Sequence, residues 1–214
     1  IRIPSHPITR ELLRRLPFPL AAPSANPFGY VSPTSAQHVL DQLRDQVSYV
    51  LDGGNCEVGL ESTIVSITDS GWEVLRLGGM DLAEIERIAG CAPDAVRLSS
   101  SRPEAPGMLH AHYALKKSVF FGSEADFLSL HPGATHVLLT YGSAGKTDVA
   151  SSRAMEVKYL SRTGDDKEGA AQIFRMLREL EHHPAEWIVA TPWPESGLGR
   201  AINDRLQRAA ASKS

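Results

Sequence analysis

The chain has 214 residues and a formal net charge of -3 at pH 7, with 42% hydrophobic and 22% charged residues. This composition is ordinary for a globular protein, and without a basic excess it argues against an extended nucleic-acid groove. No run approaches the roughly 18 consecutive apolar residues of a membrane-spanning helix, so no membrane partner is expected. The two cysteines, Cys56 and Cys91, fit no C-x-x-C spacing, which predicts a reduced, cytoplasmic protein.

A stretch near the start of the chain predicts a strand that leads into a polar loop. The apolar run Pro19–Ala22 predicts the buried strand, and the following loop carries three short polar side chains, Ser24, Asn26 and Ser32. Ser32-Pro33 predicts a helix N-cap with proline at the first helical position, where free N–H groups can bind an anion. The loop is therefore either a phosphate or carboxylate site or an ordinary strand–turn–helix corner.

Helices are predicted on both sides of this loop. The first opens at His6-Pro7, and the second covers Thr34–Gln46 with an apolar stripe at helical spacing. Val47–Leu51 then predicts a strand that ends at the Asp52-Gly53-Gly54 turn.

A hairpin with an unusual arginine follows. A strand begins at the adjacent hydroxyls of Ser62 and Thr63, turns at Asp69-Ser70-Gly71 and returns over Trp72–Leu77. Arg76 stands among apolar residues in the second strand, and burying a guanidinium is costly unless it meets an anion or a carboxylate. Arg76 is therefore a candidate ligand-binding residue, whereas strand propensity with solvent exposure remains the alternative explanation for the two hydroxyls.

The middle of the chain predicts a short helix and then a linker. Asp81–Ala89 has an N-cap at Asp81 and a glycine stop at Gly90. The serine-, proline- and arginine-rich segment that follows has little periodicity. It runs into His110-Ala111-His112, whose two histidines are too few ligands for zinc, so no metal site is predicted.

The second half of the chain predicts a small parallel α/β domain. Strands are predicted at Val119–Phe121, Thr135–Tyr141, Met155–Leu160 and Trp187–Thr191. Amphipathic helices are predicted over Ala170–Leu180 and around Leu198, Ile202 and Leu206. Strands that alternate with helices favour a parallel sheet.

Five stretches, in this order along the chain, match one family. They are Pro19–Asn26 with Ser32-Pro33-Thr34, Leu51–Ile67 (L-D-G-G-N-C-E-V-G-L-E-S-T-I-V-S-I), Leu75–Gly79, Pro106–Ala114 and Gly197–Leu206 (G-L-G-R-A-I-N-D-R-L). Together they resemble the YrdC-like threonylcarbamoyl-AMP synthases in their long, two-domain form.

The resemblance implies an α/β fold in three parts. Residues 1–92 would be the C-terminal portion of a YrdC-like twisted α/β domain, residues 93–117 a linker, and residues 118–214 a small Rossmann-like parallel α/β domain. Family members carry Lys- and Arg-containing motifs for triphosphate and threonine ahead of the position of Ile1. The chain is therefore expected to lack the N-terminal part of the catalytic domain and to be inactive alone.

The resemblance also assigns eight residues to ATP and threonine binding, without naming a catalytic residue or a metal ligand. Ser24 and Asn26 would lie at the phosphate and threonine end of the cavity, Ser32 would also bind ATP or threonine, and Arg76 would pair with phosphate. Ser62 and Thr63 would hydrogen-bond the nucleotide phosphate or ribose. His112 and Tyr113 would belong to a linker that closes over the cavity.

The implied activity is that of a nucleotidyltransferase: L-threonine, bicarbonate and ATP give threonylcarbamoyl-AMP and pyrophosphate. Mg²⁺ would be held mainly by phosphates and water. The implied downstream partner is the complex that transfers the threonylcarbamoyl group to tRNA, and tRNA itself is a further candidate partner.

Three alternatives remain. The first is a non-catalytic module that binds tRNA or double-stranded RNA, which the acidic net charge disfavours. The second is a carbamoyltransferase of the hydrogenase-maturation type, which the absence of C-x-x-C pairs disfavours. The third is a regulatory C-terminal domain with its own ligand, for which no motif names a ligand.

Overall fold

The computed structural model describes residues 4–97, 113–142 and 151–211. The chain divides into two units, one made of Ile1–Phe28 and Ser32–Cys56, the other of Gly29–Val31 and Glu57–Ser214. Within the described residues, no helix combines the length and the hydropathy needed to cross a membrane. The domain boundaries predicted after residues 92 and 117 remain a prediction.

The regular structure of the first unit consists of two short helices and a 3-10 turn. The helices are α1 (Pro7–Arg14) and α2 (Ala36–Leu43), and the turn at Arg44–Gln46 follows α2 directly. Proline occupies the start of α1, as predicted, because its fixed φ suits the first helical turn. Neither helix contains a buried residue.

The prediction of two strands in the first unit is wrong. Pro19–Ala22 and Val47–Leu51 are irregular, with Leu20 47% exposed and Leu51 64% exposed. An apolar run of four or five residues becomes a strand only where another strand satisfies its backbone groups. Neither segment has such a neighbour within the described residues.

A small three-stranded sheet and a helix open the second unit. Strands β1 (Ile64–Ile67) and β2 (Trp72–Arg76) form the predicted antiparallel hairpin, and β3 (Ala95–Val96) pairs parallel to β2. Helix α3 (Leu82–Ala89) begins at the Asp81 cap and ends at Gly90, whose φ of 75° favours glycine.

The second sheet is fully parallel, which confirms the predicted α/β class. Its strands are β4 (Ser118–Phe121), β5 (His136–Thr140), β6 (Glu156–Tyr159) and β7 (Trp187–Ala190), in the order β4-β7-β5-β6. The helices of this part are α4 (Glu124–Leu130), α5 (Asp166–Glu181) and α6 (Gly199–Ala211). Helix α4 was not predicted, because seven residues give too few turns for a clear helical period.

Helices α5 and α6 supply the centre of the core of the second unit. Their fully buried Ile173, Phe174, Leu177, Ile202 and Leu206 belong to a cluster that also includes Leu60, Trp72, Val74 and Leu77 from the region of the small sheet. One apolar core therefore joins the hairpin to the helices of the parallel sheet.

We expect the core to depend strongly on Ile173, which is fully buried in α5. Ile173→Ala should lower the free energy of unfolding by about 2–5 kcal/mol, because it removes buried methyl groups and leaves a cavity. Ile88→Ala is the matched control, since Ile88 lies in α3 and is 68% exposed. Urea denaturation should give a change below about 0.5 kcal/mol for the control, and equal losses in the two variants would contradict this assignment of the core.

Candidate functional site

The buried end of β2 brings Arg76 to Ser62. Arg76 is 7% exposed, and its Nε and Nη2 donate to the Ser62 carbonyl oxygen at 3.1 and 2.9 Å. Nη2 also lies 3.3 Å from the Ser62 hydroxyl oxygen. The structure thus brings together the Arg76 cation and the Ser62 hydroxyl, each of which was predicted to bind the nucleotide. Ser62 itself is exposed.

The neighbouring hydroxyl of Thr63 holds the turn after β2. Its Oγ1 accepts from the Gly78 N–H at 3.1 Å and donates to the Met80 carbonyl oxygen at 3.1 Å. Gly78 is required there because a Cβ would lie 2.2 Å from the Thr63 nitrogen and 2.3 Å from the Glu61 carbonyl oxygen. The Gly79 N–H also donates to the Glu61 carbonyl oxygen at 2.8 Å. The segment before β1 is thereby fixed to the segment after β2.

A second guanidinium reaches the same two segments from α6. Arg205 is fully buried, and its Nε and Nη2 donate to Oε2 of Glu61 at 3.1 and 3.0 Å. The same Nη2 donates to the Leu77 carbonyl oxygen at 2.6 Å, and Nη1 binds Asp204 at 2.7 Å. Arg205 therefore holds the residue before Ser62 and the residue after Arg76 with one planar group.

Opposing effects set the charge of the Glu61 carboxylate. Burial alone would raise its pKa, but Arg205, a backbone hydrogen bond and Arg76 bring the pKa below its ordinary value. Glu61 is therefore an anion held between two cations at neutral pH.

Tyr113, predicted to lie in a closing linker, is fully buried. Its ring stacks on Phe174 with centroids 5.1 Å apart, and the Arg205 guanidinium lies 5.5 Å from the ring centroid. Burial and the Glu61 carboxylate raise the pKa of the tyrosine hydroxyl. Its φ of 63° is uncommon for a residue with a side chain, so the packing around the ring holds this backbone conformation. His112 lies outside the described residues.

The other three predicted residues belong to the first unit. Ser24 is exposed, whereas Asn26 and Ser32 are half-buried, and Asn26 Nδ2 donates to the Pro27 carbonyl oxygen at 2.9 Å. The predicted N-cap at Ser32 is wrong, because Ser35 caps α2 by accepting from the His38 N–H at 3.3 Å. Proline after Ser32 fixes only its own φ and does not make Ser32 the cap.

Sequence reasoning missed Glu61 and Arg205. A signal for Arg205 was present, because it shares a face of the final helix with Ala201, one turn earlier, and stands beside Ile202 and Leu206. A charged residue within the buried stripe of a helix indicates a buried charge that needs a polar partner, as Arg76 does within its buried strand. Glu61 carried no such signal, since its partner is 144 residues away.

Acidic groups also line a cleft of about 480 Å³ in the second unit, among them Asp81, Glu84 and Asp166. Burial and the neighbouring Asp165 and Asp81 raise the pKa of Asp166, which accepts hydrogen bonds from the N–H groups of the first α6 residue and of the residue before it. Within the described residues, no three histidine, cysteine or acidic side chains gather in a group that could hold a metal ion.

Two family models together cover almost the whole chain. Residues 1–78 match a model described as telomere recombination, and residues 80–211 match the model of the threonylcarbamoyl-AMP synthase C-terminal domain. The chain belongs to the threonylcarbamoyl-AMP synthase family.

Individual relatives agree with this assignment. The chain is 33% identical over 216 residues to the threonylcarbamoyl-AMP synthase of Pyrococcus abyssi, covering 98% of this chain and 63% of that protein. It is 33% identical over 227 residues to the Bacillus subtilis enzyme, covering 100% of this chain and 63% of that protein. The crystal structure of P. abyssi Sua5 complexed with L-threonine matches with a TM-score of 0.83 and 31% identity, over 99% of this chain and 64% of that one.

The chain thus spans slightly less than two thirds of the relatives it matches. The matches do not bear out the predicted loss of an N-terminal part. They confirm the family and the α/β fold, whereas the eight predicted binding residues remain predictions.

The lowered pKa of Glu61 predicts a pH-dependent contribution to stability. The carboxylate stabilises the fold above its ordinary pKa of 4.5, and this contribution is lost as the pH falls through the lowered value. Glu61→Gln should therefore cost about 3 kcal/mol at pH 7, because it leaves the buried Arg205 with only Asp204 as an anionic partner among the described residues. The difference from the wild type should be smaller at about pH 3 than at pH 7, because acid neutralises part of the wild-type carboxylate as the pH approaches its lowered pKa.

Denaturation midpoints at both pH values provide the measurement. Glu57→Gln is the control, since Glu57 is exposed. A cost of Glu61→Gln that is the same at the two pH values would contradict a charged Glu61 in the native protein.

Proposed function

We propose that the protein to which this chain belongs carries out L-threonylcarbamoyladenylate synthesis, in which L-threonine, bicarbonate and ATP give threonylcarbamoyl-AMP and pyrophosphate. The observation that carries the proposal is the match of residues 80–211 to the C-terminal domain of these synthases. The likeness to a relative solved with L-threonine supports the choice of amino acid.

Two bond-forming steps make up the reaction. The threonine amine attacks the carbon of bicarbonate, and loss of water gives a carbamate. A carbamate oxygen then attacks the α-phosphorus of ATP, and pyrophosphate leaves with the electrons of the broken P–O bond. Such steps need correct placement of the reactants and neutralisation of phosphate charge more than a protein nucleophile.

The residues of the second unit take different parts in the proposal. Arg76 supplies positive charge to phosphate, and Ser62, which is exposed beside it, supplies a hydrogen bond. Thr63 supplies a hydrogen bond to the nucleotide phosphate or ribose, and its bonds to Gly78 and Met80 also fix the binding segment. Tyr113 anchors the end of the linker through its buried ring.

Three residues of the first unit and His112, which lies outside the described residues, complete the proposed set. Ser24 and Asn26 would bind the phosphate and threonine end of the ligands, Ser32 would bind ATP or threonine, and His112 would belong to the linker. These assignments rest on the order of motifs in the sequence.

Mg²⁺, the downstream partner and the location belong to the same proposal. A Mg²⁺ ion would be held mainly through the nucleotide phosphates and water. The product would pass to a complex that transfers the threonylcarbamoyl group to tRNA. We place the protein in the cytoplasm from its cysteine pattern.

The assay is pyrophosphate release from ATP by the full-length protein, with and without L-threonine and bicarbonate. We expect release that requires both. Arg76→Ala should lower kcat/KM for ATP by about 100-fold or more, because hydrogen bonds to charged groups contribute about 1.5–3 kcal/mol each. Ser62→Ala should have a smaller effect, since it removes one neutral donor.

Arg87→Ala and Ser70→Ala are the controls, because both side chains are exposed outside the site. Release that is indifferent to threonine would reject the proposal and favour the RNA-binding alternative. Loss of activity in the controls equal to that in Arg76→Ala would reject the role of Arg76.

A further inference from the structure

We propose that Arg205 is a positioning residue, through which the C-terminal part of the chain sets the geometry of the nucleotide-binding residues Ser62 and Arg76. The inference rests on the proposed function and adds a residue that the motif resemblance did not assign. It follows from the place of its two acceptors in the sequence.

Each acceptor of Arg205 is the immediate neighbour of a candidate binding residue. The Glu61 carboxylate precedes Ser62, and the Leu77 carbonyl follows Arg76. Because Nη2 donates to both, at 3.0 and 2.6 Å, a single guanidinium nitrogen fixes the separation of the two segments. Any displacement of α6 is therefore transmitted to both segments.

The connection from α6 to the site is short and made of buried groups. Arg205 is fully buried, and the Ser62 carbonyl accepts from Arg76 at 2.9 Å. The path therefore runs from Arg205 through Glu61 and Ser62 to Arg76, with one covalent link and two charge-assisted contacts. Such groups have few alternative positions in a packed core, so they can hold a site to the accuracy that catalysis needs.

A lysine could not replace this arginine. The guanidinium is planar and presents its donors in a fixed fork, and here it bonds to Glu61, Leu77 and Asp204 at once. A lysine ammonium is a single point on a flexible stem. Arg205→Lys keeps the charge but would lose at least one of these contacts.

Arg208 offers a matched control within the same helix. It lies three residues after Arg205, is buried, and pairs with Asp204 through Nε and Nη2 at 3.0 and 2.9 Å. Arg208→Met and Arg205→Met therefore each remove a buried α6 guanidinium that contacts Asp204. They differ in that Arg205→Met also removes the bonds to Glu61 and Leu77.

Hydrogen exchange of two backbone amides can measure, without any ligand, whether the two segments of the site lie together. The Gly78 N–H bonds to Thr63 Oγ1 and the Gly79 N–H to the Glu61 carbonyl, so each amide is protected only while the two segments lie together. The Thr191 N–H, which bonds to the Leu139 carbonyl in the parallel sheet, is the internal reference.

The experiment combines hydrogen exchange of these amides with the ATP dependence of pyrophosphate release in the full-length protein. In Arg205→Met we expect exchange of Gly78 and Gly79 to accelerate by about tenfold or more relative to Thr191. The KM for ATP should rise by about tenfold or more, because small displacements of binding groups are costly. Arg208→Met should change both quantities less than about threefold, and Arg205→Lys should lie between.

A second variant covers the case in which Arg205→Met fails to fold. Arg205→Met combined with Glu61→Leu removes both charges, so that no unpaired ion remains buried. It should fold but still show accelerated exchange at Gly78 and Gly79.

The outcomes separate this inference from the proposed function. Unchanged exchange at Gly78 and Gly79, or equal effects of Arg205→Met and Arg208→Met, would overturn the positioning role even in an active enzyme. Faster exchange with an unchanged KM for ATP would overturn the link to nucleotide binding. A wild-type protein without threonine-dependent release would reject the function and hence the link to nucleotide binding, while exchange would still decide whether Arg205 positions the two segments.

Discussion

The contact between Arg205 and Glu61 is the interaction on which the arrangement of the second unit depends. A buried ion pair adds little net stability compared with apolar residues of the same shape, because both charges must leave water. Removal of only one of the two charges is nevertheless costly, because the other charge stays buried without its partner. Here the pair, with the Leu77 carbonyl, selects one arrangement of the hairpin ends against α6. Its contribution is therefore to specificity of structure more than to total stability.

The sequence predicted the parts whose cause is local. The hairpin, the Asp81 cap and the four parallel strands follow from residue patterns that act within a few positions. The buried Arg76 was also predictable, since one charge in an apolar strand must find partners. The five ordered motifs supplied the family, which no single pattern could have given.

The features that the sequence did not predict depend on contacts between distant residues. A single sequence does not show which distant residues meet. Pro19–Ala22 has the composition of a strand, but no strand lies beside it within the described residues. Serine is a favoured N-cap residue, so Ser32 and Ser35 were both suitable by residue type. In the structure Ser35 caps α2. The hydroxyl of Thr63, a predicted nucleotide ligand, also bonds to Gly78 and Met80, which are 15 and 17 residues away along the chain.

The long sequence separation of these contacts has a consequence for folding during synthesis. Glu61 and Arg205 are 144 residues apart, and Val31 is 147 residues from Arg178, whose guanidinium donates to its carbonyl oxygen. At about 5–20 residues per second, a ribosome needs on the order of 10 s to make the second member of each pair after the first. The hairpin residues Trp72 and Val74 share a core with α5 and α6, so they stay without these partners until both helices have been made. Contacts of this kind also slow folding, since a large loop has to close before they form. The nascent chain is thus a natural substrate for chaperones that bind exposed apolar segments.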